Sequence, residues 1–270
     1  SSDAVPVADL PLLDRWMLQR TAEVMDEITA AFESYEFFRF FQLLQNFCVT
    51  DLSNFYLDIA KDRLYVSAPA DRRRRSCQTV MALIIERLAG FIAPVLCHMA
   101  EDIWQNLPYP VQETSVFQRG WPTVPSAWRN DTLSAPMQQL RDLRAAVNKV
   151  LEDCRGRQEL GASLEAAVRI DARSPELEAA LCWLSDNGDP EVDGLRDWLL
   201  VSQLQLGGEP WAEVLASHDD ELASIEVSRA RGTKCERCWH YEGDVGQHPE
   251  HPHICGRCVG VLGRRTHQLA

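Results

Sequence analysis

Apolar residues recur at three- and four-residue intervals through the first hundred positions of the chain. Leu13, Trp16, Met17, Val24, Ile28, Phe32 and Tyr35, with Asp, Glu, Arg and Gln between them, predict an amphipathic helix from about 12 to 35. A second helical stretch runs from about 36 to 61, where Leu52, Phe55, Tyr56 and Ile59 form the apolar stripe. A third, from about 71 to 107, aligns Val80, Ile84, Leu88, Ile92, Val95, Met99 and Ile103, and Pro94 is expected to kink it. Three long helices so close in sequence are expected to pack as a bundle.

Between Pro108 and Pro136 the pattern fails. Pro108, Pro110, Pro122, Pro125 and Pro136, with Gly120, interrupt regular structure, and a domain boundary is expected inside this stretch. Met137, Leu140, Val147, Leu151 and Cys154 mark a further helix that ends near Gly156 to Gly161. The period then changes to two: Leu164, Ala166, Val168 and Ile170 alternate with Glu165, Ala167 and Arg169, as on a half-buried strand. Residues 176–184 read as helix, and 198–206 and 224–230 as strands. The expected fold is mainly α: a helical bundle over 1–125, a helix with a small α/β junction unit over 126–232, a cysteine knuckle over 233–263 and a tail over 264–270.

Composition adds class and compartment. A chain of 270 residues, 46% hydrophobic and 25% charged, can bury a substantial core. No apolar run approaches the roughly 20 residues that cross a bilayer, and the opening SSDAVPVADLP has neither a basic patch nor a hydrophobic signal segment, so a soluble, cytoplasmic, membrane-free protein is expected. An opening Ser1 in place of Met is expected of a stretch from a longer polypeptide. The net charge of -13 argues against indiscriminate nucleic-acid binding. Its distribution is uneven: residues 229–270 hold seven basic and four acidic side chains, a net of +3, which leaves -16 on residues 1–228. The same segment holds five of the seven histidines, so it is the expected anionic-ligand surface.

Nine cysteines divide into two groups. Cys48, Cys77, Cys97, Cys154 and Cys182 stand singly in helix-like segments and are expected to be buried thiols. The others form two pairs, Cys235-Glu-Arg-Cys238 and Cys255-Gly-Arg-Cys258, sixteen residues apart. Each pair places two thiolates on one tight turn, and the loop lets the turns face each other, so four sulfurs can surround one ion tetrahedrally. A single structural zinc ion is the expected occupant, with no open position for water. Two disulfides or a dithiol redox centre compete with this reading. A reducing compartment opposes the first, and the lack of a surrounding βαβ pattern weakens the second.

Other residues bear on ligands. Asp71 is followed by four arginines, 72–75, at the expected start of the third helix. They spread around the helix as a solvated, salt-bridged end, with Arg73 and Arg74 as alternative phosphate contacts. Trp239 and His240, with Tyr241 beside Arg237, can stack on unpaired bases while a guanidinium holds phosphate, or can pack over the metal site. Lys234, Arg237, Arg257, Arg264 and Arg265 are the expected phosphate contacts of the basic segment. No Gly-rich phosphate loop, nucleophile elbow or zinc-protease signature is present, so no catalytic residues are expected.

Residues 234–259, KCERCWHYEGDVGQHPEHPHICGRCV, resemble the zinc-binding tail of bacterial isoleucyl-tRNA synthetases. LPLLDRWMLQR at 10–20, DLSNFYLDIAKDRLY at 51–65, RRSCQT at 74–79 and IAPVLCHMAEDIW at 92–104 are similar to the helical anticodon-binding domain of that family, and VFQRGWP at 116–122 and LRAAVNKVLEDCR at 143–155 to its next elements. The resemblance implies a tRNA-binding part that positions tRNA(Ile) by its anticodon side for ATP- and Mg2+-dependent aminoacylation. It implies a monomer whose N-terminal catalytic domain does that chemistry, since the family's His-Xaa-Gly-His and Lys-Met-Ser-Lys-Ser elements and its editing domain do not occur here. Two rivals have similar knuckles: a DNA-repair glycosylase, which needs a β-rich catalytic domain, and a structural zinc module that organises a protein contact.

Overall fold

The computed structural model describes residues 3–268, with side chains described through Arg264. It divides into two compact units, one of residues 1–60 and 72–131, the other of residues 61–71 and 132–270.

The first unit is helical. Helix α1 (Leu12–Glu33) buries Leu13, Trp16, Met17, Val24 and Ile28 of the predicted stripe, while Phe32 is half-buried and Tyr35, past the helix end with φ 59°, is exposed, against expectation. Helix α2 (Phe37–Asn46) runs into a π-helical segment (Phe47–Leu57) and then α3 (Asp58–Tyr65). Bonding from i to i+5 widens the turn, so residues four apart, Phe47, Asp51 and Phe55, share the buried face, and Leu52 is only half-buried. The expected stripe is corrected to that extent. Trp16 meets Phe55 edge-on at 5.2 Å, and Asp51, though buried, accepts a 3.0 Å bond from Arg20. Helix α4 (Arg72–Ile92) and α5 (Cys97–Gln105) share the expected third helix; the chain stops being helical at residues 93–96, around Pro94, where a kink was expected. Gly90 of α4 lies so close to the Pro122 ring that a Cβ there would overlap it, and Trp121 beside it packs edge-on against Phe91 at 4.9 Å. These contacts fix the proline-rich stretch on the helices.

In the second unit, α6 (Ser134–Gly156) and α7 (Pro175–Asn187) cover one face of a four-stranded sheet of order β2-β1-β4-β3. The strands are β1 (Ala166–Ala172), β2 (Gln203–Leu206), β3 (Ala216–Asp219) and β4 (Ala223–Arg229). β1 runs parallel to β2 and antiparallel to β4, and the register pairs Val168 with Val227 and Ile170 with Ile225. These four side chains form the buried face. Two expectations are corrected. Trp198 and Leu199 belong to the short helix α8 (Leu195–Leu199), and the left-handed Leu200, φ 56°, turns the chain before β2 begins. Strand β3, ASHD, has no apolar alternation and was not expected. Of the single cysteines, Cys77 and Cys154 are buried, Cys48 is half-buried, and Cys97 and Cys182 are exposed, against expectation, because their positions fall on outward helix faces.

No helix of the described residues is long and apolar enough to cross a membrane.

Candidate metal centre and nucleic-acid interface

The four paired cysteines converge. A hairpin of β5 (Thr233–Lys234) and β6 (Tyr241–Glu242) carries Cys235 and Cys238 on its turn, while Cys255 and Cys258 stand at the start of α9 (Gly256–Gln268). The first turn is closed by Cys235 N–H donating to His240 O at 2.8 Å and Trp239 N–H donating to Cys235 O at 2.9 Å. Glu236 N–H donates to His253 O at 3.1 Å, and Gly256 N–H donates to the Asp244 carboxylate at 2.8 Å, which ties the loop to the second pair.

All four sulfurs lie within 4.8 Å of one another and all four residues are buried. Cys235 Sγ is 3.8 Å from Cys258 Sγ, and Cys238 Sγ is 3.7 Å from Cys255 Sγ. A tetrahedron with metal–sulfur bonds of about 2.3 Å has edges of about 3.8 Å, which these two pairs match, so the donor set fits a zinc ion. Its electrostatics agree. Hydrogen bonds from Cys255 and Cys258 push the Cys238 thiol far below its usual range, while the Cys255 thiol, bonded to Cys238, is pushed up to about 11 and Cys258 rises for the same reason. One thiolate forms at the expense of its neighbours, and a cation is what allows all four to ionise together.

Arg257 faces Asp62, with Nη1 and Nη2 each 2.8 Å from a carboxylate oxygen. Burial opposes the guanidinium charge, but the Asp62 carboxylate and the Cys238 sulfur raise its pKa well above the ordinary arginine value. Arg237 Nη2 donates to Val66 O at 2.6 Å, and the Val66 side chain packs among the four cysteines. The knuckle therefore grips residues 61–71. Both guanidiniums of the expected set, Arg237 and Arg257, thus have partners inside the protein. Sequence reasoning missed Asp62 and Val66, whose only signal was an acidic residue between Lys61 and Arg63.

The remaining expected contacts divide. Lys234 and Trp239 are exposed, Trp239 by 61% of its surface, so it does not cover the metal site. Trp239 also holds φ 68°, the left-handed region that suits glycine. Arg264 is exposed and reaches Asp71 at 3.4 Å. His240, expected either to stack on bases or to pack over the metal site, is buried. Burial, then Arg257, lowers its pKa. Arg73 and Arg74 are half-buried in the first turn of α4, where Arg72 donates to Asp9 O at 2.6 Å and Arg75 pairs with Asp3 at 3.4 Å. Arg265 lies outside the residues whose side chains are described.

Residues 14–170 match the family described as "Anticodon-binding domain of tRNA ligase". The chain belongs to that family. Residues 232–260, the knuckle, match "Zinc finger found in FPG and IleRS". Among curated proteins the chain is 92% identical over 269 residues to "Isoleucine--tRNA ligase" of Parasynechococcus marenigrum (strain WH8102), covering 100% of the chain and 28% of the relative. It is 76% identical over 260 residues to the protein of the same name from Prochlorococcus marinus (strain MIT 9313), covering 96% of the chain and 27% of the relative. For Synechococcus sp. (strain CC9311) the identity is 75% over 265 residues, covering 98% and 27%. The chain thus spans a little over a quarter of the curated relatives it matches.

Proposed function

We propose that this chain is the tRNA-gripping part of an isoleucine-tRNA ligase and holds tRNA(Ile) by its anticodon side. The observation that carries the reading is one chain matching an anticodon-binding family over its helices and a zinc-finger family over its knuckle, in the order its isoleucine-tRNA ligase relatives have. The zinc finger's description also names a second protein type, but the helical match supports the ligase over a DNA-repair glycosylase. Cys235, Cys238, Cys255 and Cys258 hold one zinc ion, which when bound organises the knuckle and performs no chemistry. Lys234, Trp239 and Arg264, the exposed members of the expected set, supply phosphate and base contacts, with Arg73 and Arg74 as further candidates. ATP- and Mg2+-dependent aminoacylation belongs to an N-terminal catalytic domain of the same cytoplasmic, monomeric enzyme.

Filter binding of the chain to tRNA(Ile), to a tRNA with another anticodon and to duplex DNA tests the reading. Preference for tRNA(Ile) is expected; equal or tighter binding of duplex DNA overturns it in favour of the glycosylase, and no binding to any of the three supports a purely structural zinc module.

A further inference from the structure

The sheet of the second unit has a second face that the anticodon reading does not use. Strand alternation puts Val168, Ile170, Ile225 and Val227 against the helices, so Ala167, Gln203 and Ser228 point to the opposite side. Ala167 is in register with Gln203 on one flank and Ser228 on the other. A methyl group between two polar side chains leaves a trough in the sheet.

The β2–β3 connection roofs this trough. Gly207 and Gly208, at φ 65° and 80°, turn the chain back over the sheet, a conformation side chains disfavour. The returning segment is pinned along its length. Trp211 N–H donates to the Glu226 carboxylate at 2.9 Å, and its Nε1–H donates to Gln205 Oε1 at 3.1 Å. Ser228 Oγ donates to Glu213 O at 2.5 Å, and Leu215 N–H donates to Val227 O at 2.7 Å. A cleft of about 680 Å3 remains between roof and sheet, within the range of small-molecule sites. Arg229 and Arg231 line its mouth, both exposed and, among the described residues, without a side-chain partner. Glu213 is the one acidic residue of the lining.

The floor amide of Gln203 is held at both ends by the Arg231 backbone, and the Ser228 hydroxyl by Glu213 O. What the slot offers is therefore an indole on its wall and two unengaged guanidiniums at its mouth, which suit a ligand that is planar at one end and anionic at the other. We infer that the cleft takes one unpaired nucleotide of the bound RNA, its base against Trp211 above Ala167 and its phosphates at Arg229 and Arg231. The inference rests on the RNA-binding reading above and assigns a contact away from both the helical unit and the knuckle.

Filter binding of tRNA to the chain over a salt series, with chemical probing of the bound RNA, tests it. Arg229→Ala/Arg231→Ala alters only exposed side chains and is expected to flatten the log-affinity against log-salt slope by roughly 1.4 units, about 0.7 per phosphate on a single strand. Ala167→Leu fills the trough without changing charge. It is expected to weaken binding roughly 5- to 100-fold at unchanged slope and to re-expose one nucleotide to the probe. If Ala167→Leu disturbs the sheet, as circular dichroism would report, the arginine variant decides alone. Binding by the parent chain that the arginine variant retains with the same affinity and slope overturns the cleft while leaving the RNA reading in place. Failure of the parent chain to bind any tRNA overturns both.

Discussion

The Tyr56 hydroxyl donates to Asp14 Oδ1 across 2.5 Å, and both residues are fully buried. The bond joins α1 to the π-helical segment at a point where neither water nor a second surface can replace it. Tyr56→Phe removes the donor and leaves the carboxylate with one partner fewer, a loss of about 1–3 kcal/mol. Urea unfolding of the variant checks this, and an unchanged midpoint would show the bond to be dispensable.

Metal content reports on the knuckle. Cys255→Ser removes a sulfur from a quartet with tetrahedral spacing, so zinc measured by atomic emission is expected to fall from one ion per chain to near none. Amide exchange over 233–263 should quicken while the core of α1 and α4 stays protected. Retention of a full zinc equivalent would move the ligand set elsewhere.

The grip on residues 61–71 is separable from the metal. Arg257→Ala leaves Asp62 beside the knuckle without its bidentate partner; with the two side chains 30% and 14% exposed, a cost of about 1–3 kcal/mol is expected. Exchange at 61–71 should rise with zinc still bound. A double-mutant cycle with Asp62→Ala isolates the pair, and additive losses would mean that the two side chains are not coupled.

Trp239 combines a left-handed backbone with an exposed indole, so Trp239→Gly has two opposed effects. Relief of the backbone, net of glycine's own entropy, should stabilise the knuckle by about 0.5–1 kcal/mol. Loss of the ring should weaken tRNA binding by about 1–3 kcal/mol if it stacks on a base. A stabilised knuckle with undiminished tRNA affinity would leave the exposed ring without a role in RNA binding.

An isoleucine-dependent pyrophosphate exchange assay bounds the chemistry. No residue set in the chain has the form of an ATP site, and background exchange is expected. Robust exchange by the purified chain would place an active site within it.

What could be read from the sequence follows the range of the interactions. Leu13, Trp16 and Ile28, like Val80 and Ile84, declared their faces because an α-helical repeat is a local property. The cysteine quartet was legible for the same reason, since each CxxC turn is complete within four residues. Leu52 was misplaced because the π-helical segment changes the period from which faces are inferred. The partners of Arg237 and Arg257 left no local trace, because Val66 and Asp62 lie 171 and 195 positions away.

The distance in sequence between Asp62 and Arg257 also sets an order of events during synthesis. At about 5–20 residues per second, roughly 10–40 s separate the emergence of the two residues from the ribosome. Throughout that interval α1 and α2 are already out, and α4 follows early in it, while residues 61–71 wait without the knuckle that holds them. The segment is therefore a stretch of nascent chain open to proteases and chaperones until the last cysteine pair arrives with its metal.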